Sequence, residues 1–144
     1  MKDVNYKLRK AYNTALTGLT VNSIAIPVYY LQAPESETAD NYIIMQSVAN
    51  VDDGNFASTN TLTSIQLQIV TEGEGANPGK MADDIAGAVY GIIYPTPQAV
   101  LDMTADGVQM VGTFLTDDRV LSERLGNIEY VTRILTFRHN IFHN

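Results

Sequence analysis

Residues 61–93 read TLTSIQLQIVTEGEGANPGKMADDIAGAVYGII, and the patterns in this stretch decide the kind of fold. Its first part alternates apolar and polar side chains, which is typical of a strand with one buried face. Ile65, Leu67 and Ile69 share the face that we expect to be buried. The side chains on the opposite, wetter face are Gln66, Gln68 and Val70. This segment therefore predicts a sheet that is covered on one side.

An amphipathic helix follows this strand after a turn. Residues 72–79, EGEGANPG, are rich in glycine and acidic residues, which favours a reversal of the chain. The apolar residues beyond the turn recur at helical spacing and are Met81, Ile85, Val89 and Ile92. Tyr94 and Pro95 end this pattern, since proline cannot continue the hydrogen bonds of a helix. We expect the helix to pack its apolar stripe on the sheet.

The other segments predict one further helix and several strands. Apolar residues at spacings of three and four predict a helix over residues 2–17. Segments rich in β-branched and aromatic residues predict the strands, which span residues 26–31, 42–48, 108–115 and 128–141. We expect the first of these strands at a sheet edge, because it contains Pro27, and the last near the centre of the sheet.

Polar segments between the strands predict the connections. Residues 33–40 would form the long tip of a hairpin between the first two strands, and residues 51–60 a second exposed loop. Residues 116–119, TDDR, predict a turn. No repeat or linker divides the chain, so we expect residues 1–144 to form a single α+β domain. A mainly antiparallel, twisted sheet would carry one N-terminal helix and one mid-chain amphipathic helix.

Composition excludes several classes of protein. The chain has 144 residues, a net charge of −7 and no cysteine. Disulfides, thiolate metal sites and cysteine nucleophiles are therefore excluded. No apolar run approaches the ~20 residues of a membrane-spanning helix, and the basic N-terminus lacks the apolar block of a secretion signal. We expect a soluble protein that stays in the cytoplasm where it is made.

The charges are distributed unevenly along the chain. The basic residues near its two ends are Lys2, Lys7, Arg9, Lys10, Arg119, Arg124, Arg133 and Arg138. Between these two groups, only Lys80 is basic. Ordinary DNA binding is disfavoured, since nucleic-acid affinity depends on cations that displace condensed counterions. The acidic central part of the sequence forms either a solvated surface or the wall of a channel through which DNA passes without binding.

Patterns that would support catalysis, nucleotide binding or metal binding are weak. Residues 72–80 lack the GxxxxGK[ST] order of a phosphate loop, and their two glutamates would repel phosphate. No serine lies in a GxSxG context. His139 and His143 stand outside any HExxH frame, and we expect them to face solvent or a neighbouring subunit. We therefore expect no catalytic residue, no bound metal ion and no cofactor.

Three pairs of adjacent carboxylates are candidate cation ligands. The pairs are Asp52 with Asp53, Asp83 with Asp84, and Asp117 with Asp118. They lack the ligand spacing of a calcium-binding loop, so a solvated or turn position is favoured for each. The tyrosines are more informative, because tyrosine is enriched at protein interfaces. Tyr29 and Tyr30 are adjacent in a predicted strand and so point to opposite faces, which leaves one of them either exposed or against another subunit.

The order of elements resembles the tail terminator or tail-completion family of siphophages, which includes small neck proteins. The resemblance lies in residues 28–34 (VYYLQAP), 42–43 (YI), 63–70 (TSIQLQIV) and 80–93 (KMADDIAGAVYGII). It covers most of the chain as element order and amphipathicity. Residues 96–106 form a longer link than this family pattern leads us to expect.

That family forms a six-fold ring on the head-proximal end of the tail tube, stops tube polymerisation and presents a surface to the capsid connector. The resemblance implies a phage or prophage structural protein without enzymatic activity. It would be located in the virion tail or neck, and in the host cytoplasm during assembly. Its partners would be further copies of itself, the tail tube protein and a head-completion or connector protein, with DNA passing through unbound and no membrane involved.

On this interpretation, the long loops contact the tube or a neighbouring subunit. The residues that the resemblance assigns to such interfaces are Tyr29, Tyr30, Glu35, Glu37, Asp40, Asp52, Asp53 and Phe56. The residues that it assigns to a DNA-conducting lumen are Asp52, Asp53, Glu72 and Glu74. Two alternatives stay open, a head-completion or connector-adaptor protein on the portal side and a small ligand-binding module.

Overall fold

The computed structural model describes residues 3–52, 59–75 and 77–143. The elements, in chain order, are α1 (Asn5–Leu16), β1 (Thr20–Val21), β2 (Ile24–Ala25), β3 (Val28–Tyr30), β4 (Asn41–Asp52), β5 (Thr59–Glu74), α2 (Asn77–Ile93), a 3₁₀ turn (Thr104–Asp106), β6 (Val108–Leu125) and β7 (Ile128–His143). The fold is α+β, with a mostly antiparallel sheet, as the sequence predicts. Neither α-helix in the described part of the chain is long and apolar enough to cross a bilayer.

The main sheet has five strands in the order β3-β4-β5-β7-β6. The long strand β7 lies between β5 and β6, which confirms its predicted central position. The predicted hairpin between β3 and β4 is wrong, because the two strands run parallel, with Val28 opposite Ile43 and Tyr30 opposite Met45. Residues 31–40 therefore carry the chain back along the sheet. The residue types of a strand indicate its extended backbone but not its direction.

Strands β6 and β7 form one long hairpin. The turn predicted at residues 116–119 is wrong, because β6 continues through this polar segment with a register shift between Leu115 and Asp117. A bulge accommodates an extra residue without ending a strand. The reversal occurs instead between Leu125 and Ile128, where Gly126 has a φ of 63°. Glycine is suited to this left-handed backbone conformation because it lacks a Cβ atom.

The core lies between one face of the sheet and the two helices. Ile65, Leu67 and Ile69 are at most 1% exposed, which confirms the buried face predicted from the alternation of β5. On α2, the buried side chains are Pro78, Ala82, Ile85, Ala86, Val89 and Ile93. Ile92, which the helical spacing placed on the apolar stripe, is 37% exposed, so this detail of the prediction is wrong. The stripe instead follows the line through Val89 and Ile93, four residues apart on one helix face.

The predicted boundaries differ from the observed ones most at the turns. Much of the predicted turn at residues 72–79 is regular structure, since β5 extends to Glu74 and α2 begins at Asn77. The predicted loop at residues 51–60 is likewise shortened, because strands reach Asp52 on one side and begin again at Thr59. The small β1–β2 hairpin was not predicted from the sequence. Backbone hydrogen bonds of a long ladder continue through residues whose composition favours loops.

Candidate assembly surface

Asp40 and Glu72 lie side by side near the start of β4, and Glu37 lies near the same strand, next to Tyr42. We call Glu37, Asp40 and Glu72 the acidic patch. The backbone N–H of Glu72 donates to the carbonyl of Asp40 over 3.0 Å, which holds the two residues together. Burial, followed by the charge and hydrogen bond of Asp40, raises the pKa of the Glu72 carboxyl. Asp40 and Glu72 also line an open cavity of about 310 Å³ beside the first turn of α2.

Tyr42 lies within the electrostatic influence of both Glu37 and Glu72 of the acidic patch. Burial, then Glu72 and Glu37, raise the pKa of the Tyr42 hydroxyl, so both carboxylates lie near that ring. Oε1 of Glu37 accepts a hydrogen bond of 2.5 Å from the N–H of Ala39. Its other oxygen, Oε2, is shielded from solvent and has no hydrogen-bond partner within the described ranges. The patch therefore concentrates negative charge without a compensating cation on its shielded oxygen.

The two predicted interface tyrosines point to opposite faces of the sheet, as adjacent strand residues must. Tyr29 packs edge-on against Tyr42, with ring centroids 6.1 Å apart. Tyr30 lies under the guanidinium of Arg9, which is 3.9 Å from the ring centroid. Both tyrosines are half-buried within this chain. Whether either contacts another subunit stays a prediction.

The structure brings together only part of the acidic set predicted from the resemblance. Asp52 is exposed at the far end of β4, opposite Thr61 of β5. Thr61 and Glu72 are at opposite ends of β5, roughly 35 Å apart at the strand rise of ~3.3 Å per residue. Glu35 and Glu74 are exposed, and each is two residues along the chain from a member of the acidic patch. Asp53 and Phe56 lie outside the described residues. The assignment of these carboxylates to a lumen therefore stays a prediction. It would require the wall of the lumen to extend along the whole length of β5.

A second surface, which the sequence did not predict, lies on the last part of β6. We call residues 115–125 the β6 arm. Its side chains are almost all exposed, and its exposed large apolar residues are Leu115, Val120, Leu121 and Leu125. Because β6 is the last strand of the sheet, its outer backbone edge has no strand partner among the described residues. The sequence predicted a strand only as far as residue 115 and a turn at residues 116–119, so both the length of β6 and the exposure of its side chains were missed.

Arg133 links the base of the β6 arm to α2. Its guanidinium donates to Asp118 through two nitrogens, over 3.0 and 2.8 Å, and to Asp83 over 2.8 Å. The hydroxyl of Tyr90 donates to the same Asp118 carboxylate over 2.6 Å. Arg133 holds the pKa of Asp118 below its usual range, whereas burial and Asp118 raise the pKa of Tyr90 to about 12. Arg133 therefore connects Asp118 of the β6 arm to Asp83 of α2.

The prediction that His139 and His143 face solvent or a neighbouring subunit is wrong. Both are buried, since they follow Leu135 and Phe137 on the covered face of β7. Nε2 of His139 hydrogen-bonds the hydroxyl of Tyr12, and its Nδ1 lies 3.1 Å from the hydroxyl of Thr113. Burial lowers the pKa of His139 to about 4. Continuing the alternation from Leu135 to residue 139 would have indicated this position.

No protein-family model matches the chain, and no curated protein matches it. Among solved structures, a chain of the native gene transfer agent (GTA) virion particle is similar in fold. The TM-score is 0.57 and the sequence identity 18%, and the match covers 96% of this chain and 91% of that chain. The two chains therefore share one fold over nearly their whole length.

Proposed function

We propose that this chain is a structural protein of a phage-like virion, and specifically the tail terminator. In this role, copies of the chain form a ring, most simply of six subunits, on the head-proximal end of the tail tube. The ring stops further tube polymerisation and presents a surface to the head-completion or connector protein. The chain would act by assembly and not by catalysis, within the virion tail or neck and, before that, in the host cytoplasm.

One observation carries this proposal. The fold matches a chain of the GTA virion particle across 96% of this chain and 91% of the other. A match of this extent supports a common architecture for the whole subunit rather than for a shared module. The step from virion protein to tail terminator is supported by the element order of β5, α2 and β7, on which the sequence resemblance also depends.

The surfaces of the described residues agree with a role in assembly. The β6 arm leaves a strand edge and four large apolar side chains uncovered. Such a combination favours association with another protein surface. The acidic patch lies across the sheet, near β4, so the two surfaces are different parts of the subunit. A subunit that offers one surface and accepts at a different one assembles head-to-tail, which closes into a ring when the rotation permits.

The direct test is to mix the purified protein with tail tubes and, separately, with portal and connector complexes. Negative-stain images should show extra density at one end of each tube, and added protein should stop tube growth in a polymerisation assay. Tubes that continue to grow with bare ends would contradict the terminator assignment. Density on the portal complexes instead would support the head-completion alternative.

A further inference from the structure

The β6 arm has the features of a strand edge that adds to another sheet. Its apolar side chains lie on both faces, since Val120 is opposite Arg133 on the helix side and Leu121 is opposite Thr132 on the other. A long, exposed edge with apolar side chains pairs readily with a second strand. Burial of both faces requires a partner that continues the sheet and also extends above and below it.

The opposite edge of the same sheet supplies a strand of suitable direction. β6 is antiparallel to β7, which is antiparallel to β5, which is antiparallel to β4. Since β3 is parallel to β4, β6 and β3 run in opposite directions. When two copies stand side by side in the same orientation, β6 of one copy therefore meets β3 of the next as an antiparallel neighbour. The same step can be repeated from copy to copy.

The end of the β6 arm carries one cation, Arg124, and its neighbour Glu123 points to the opposite face of the strand. Arg124 is exposed, and its Nε donates only to a backbone carbonyl, that of Gly126, over 3.2 Å. None of the ion pairs in the described part of the chain includes Arg124. The acidic patch, by contrast, has three carboxylates, and Lys80, which lines the same cavity, is paired with Asp84. An arginine from outside would offset the negative charge of the patch.

These two groups also lie at the same level along the strands. Glu72 is opposite Tyr130 of β7, and Tyr130 is opposite Glu123 of β6. Arg124 is therefore one residue from the level of Glu72, although Glu72 lies on β5, two strand spacings from β6. In a flat ring, where neighbouring copies stand at equal height, the end of one arm faces the acidic patch of the next copy.

We infer that the β6 arm docks on the β3–β4 edge of a second copy of this chain, with Arg124 contacting the acidic patch formed by Glu37, Asp40 and Glu72. The contact is heterologous, so each copy both inserts an arm and receives one. The inference rests on the homo-oligomeric part of the proposed function, for which it names the surfaces. It does not depend on which part of the virion the ring caps.

Charge reversal tests the contact. Arg124→Glu and Asp40→Arg are both changes of exposed side chains, and each should weaken self-association about tenfold or more, because like charges then face each other. Mixing the two variants in equal amounts should restore the oligomer, as should combining both changes in one chain. Sedimentation velocity and mass photometry would measure the assembly state, and thermal unfolding would show that each variant is folded.

Arg119→Glu is the matched control. It makes the same charge change on the same arm, but Arg119 already pairs with Asp117 over 3.3 Å and lies five residues from Arg124. Its effect on assembly should be smaller, and Asp40→Arg should not rescue it. Single variants that assemble like the wild type, or a charge swap that fails to restore assembly, would overturn the inference. A wild-type chain that stays monomeric up to about 1 mM would also overturn it.

The outcome is separable from that of the tube experiment. If the charge swap restores the oligomer but the protein does not bind tail tubes, the terminator assignment is refuted and the arm contact is supported. Capped tubes together with a failed charge swap would keep the terminator assignment and refute the arm contact.

Discussion

The two halves of β6 have the same backbone partner and opposite environments. On the side of the sheet that faces the helices, Val108, Met110 and Thr113 are at most 3% exposed, whereas Val120 is 55% exposed. Both halves pair with β7, with register shifts between Met110 and Gly112 and between Leu115 and Asp117. The first half is covered, since Tyr12 of α1 and Met103 belong to the same buried region. The comparison shows that strand pairing alone buries no side chain, and that the second layer decides where the core ends.

The largest loss of stability is expected for a substitution in the covered part of the sheet, and a matched substitution on the β6 arm should have little effect. Phe137 is fully buried and contacts the rings of Tyr90 and Tyr94. We expect Phe137→Ala to lower the free energy of unfolding by about 3–5 kcal/mol, because it removes apolar contacts and leaves a cavity. Denaturant unfolding at low protein concentration would measure the change.

Leu121→Ala is the control on the arm. Its side chain is exposed, so the free energy of unfolding of the isolated subunit should change by no more than about 0.5 kcal/mol. A loss of several kcal/mol on Leu121→Ala would show that the arm is covered within the subunit and would break the comparison.

A pH dependence of the unfolding free energy is expected from His139, which lies beside the covered half of β6. Burial lowers the pKa of His139 to about 4 from its ordinary value of 6.5, so the unfolded chain binds the proton more readily than the folded one. This contribution to stability is fully present above pH 6.5 and is lost as the pH falls from 6.5 to about 4. Its size should be about 3 kcal/mol.

His139→Gln should remove this part of the pH dependence. Subtracting its unfolding free energies from those of the wild type, measured between pH 7 and pH 4, isolates the histidine from the carboxylates, which titrate in both proteins. A difference that is constant over this range would show that the imidazole is not held neutral by the fold.

A smaller effect is expected at the boundary between the two halves. Arg133→Gln breaks the contacts to Asp83 and Asp118 at a site that is mostly shielded, and we expect a loss of about 1–2 kcal/mol. Arg119→Gln, which breaks an exposed pair with Asp117, should cost less than about 0.5 kcal/mol. Equal losses in the two variants, measured by chemical denaturation, would contradict the structural role given to Arg133.

The smallest effect is expected on the outer surface of α2. Lys80 forms an i,i+4 pair with Asp84 over 3.0 Å, and its side chain is 76% exposed. We expect Lys80→Gln to change the unfolding free energy by less than about 0.5 kcal/mol, with the difference disappearing in high salt. A larger change that salt does not reduce would mean that this surface is covered.

Much of the architecture was predictable from local pattern. The alternation of Ile65, Leu67 and Ile69 correctly placed the buried face of β5, and the spacing of Ile85 and Val89 correctly predicted the helix that covers it. The polar segment at residues 116–119 was misjudged, because composition favours a turn there while the pairing of β6 with β7 continues on both sides of a bulge.

The candidate site was less predictable than the fold. The sequence indicated Glu37, Asp40 and Glu72 as surface acids but could not show that all three lie near β4, since Glu72 is separated by a whole strand from the other two. The uncovered β6 arm was missed for a similar reason. Whether a strand is exposed depends on which helices pack against it, and the residues of the strand do not indicate this.

The sequence by itself determined the period of each element, the separation of strands from helices and the apolar face of β5. Those properties depend on side chains two to four residues apart, which interact through local backbone geometry. Only the tertiary structure decided the parallel direction of β3, the hydrogen bond between His139 and Tyr12 and the grouping of Arg133 with Asp83 and Asp118. Each of these depends on strand order and on contacts between distant parts of the chain, where many arrangements satisfy the same local patterns and packing selects one.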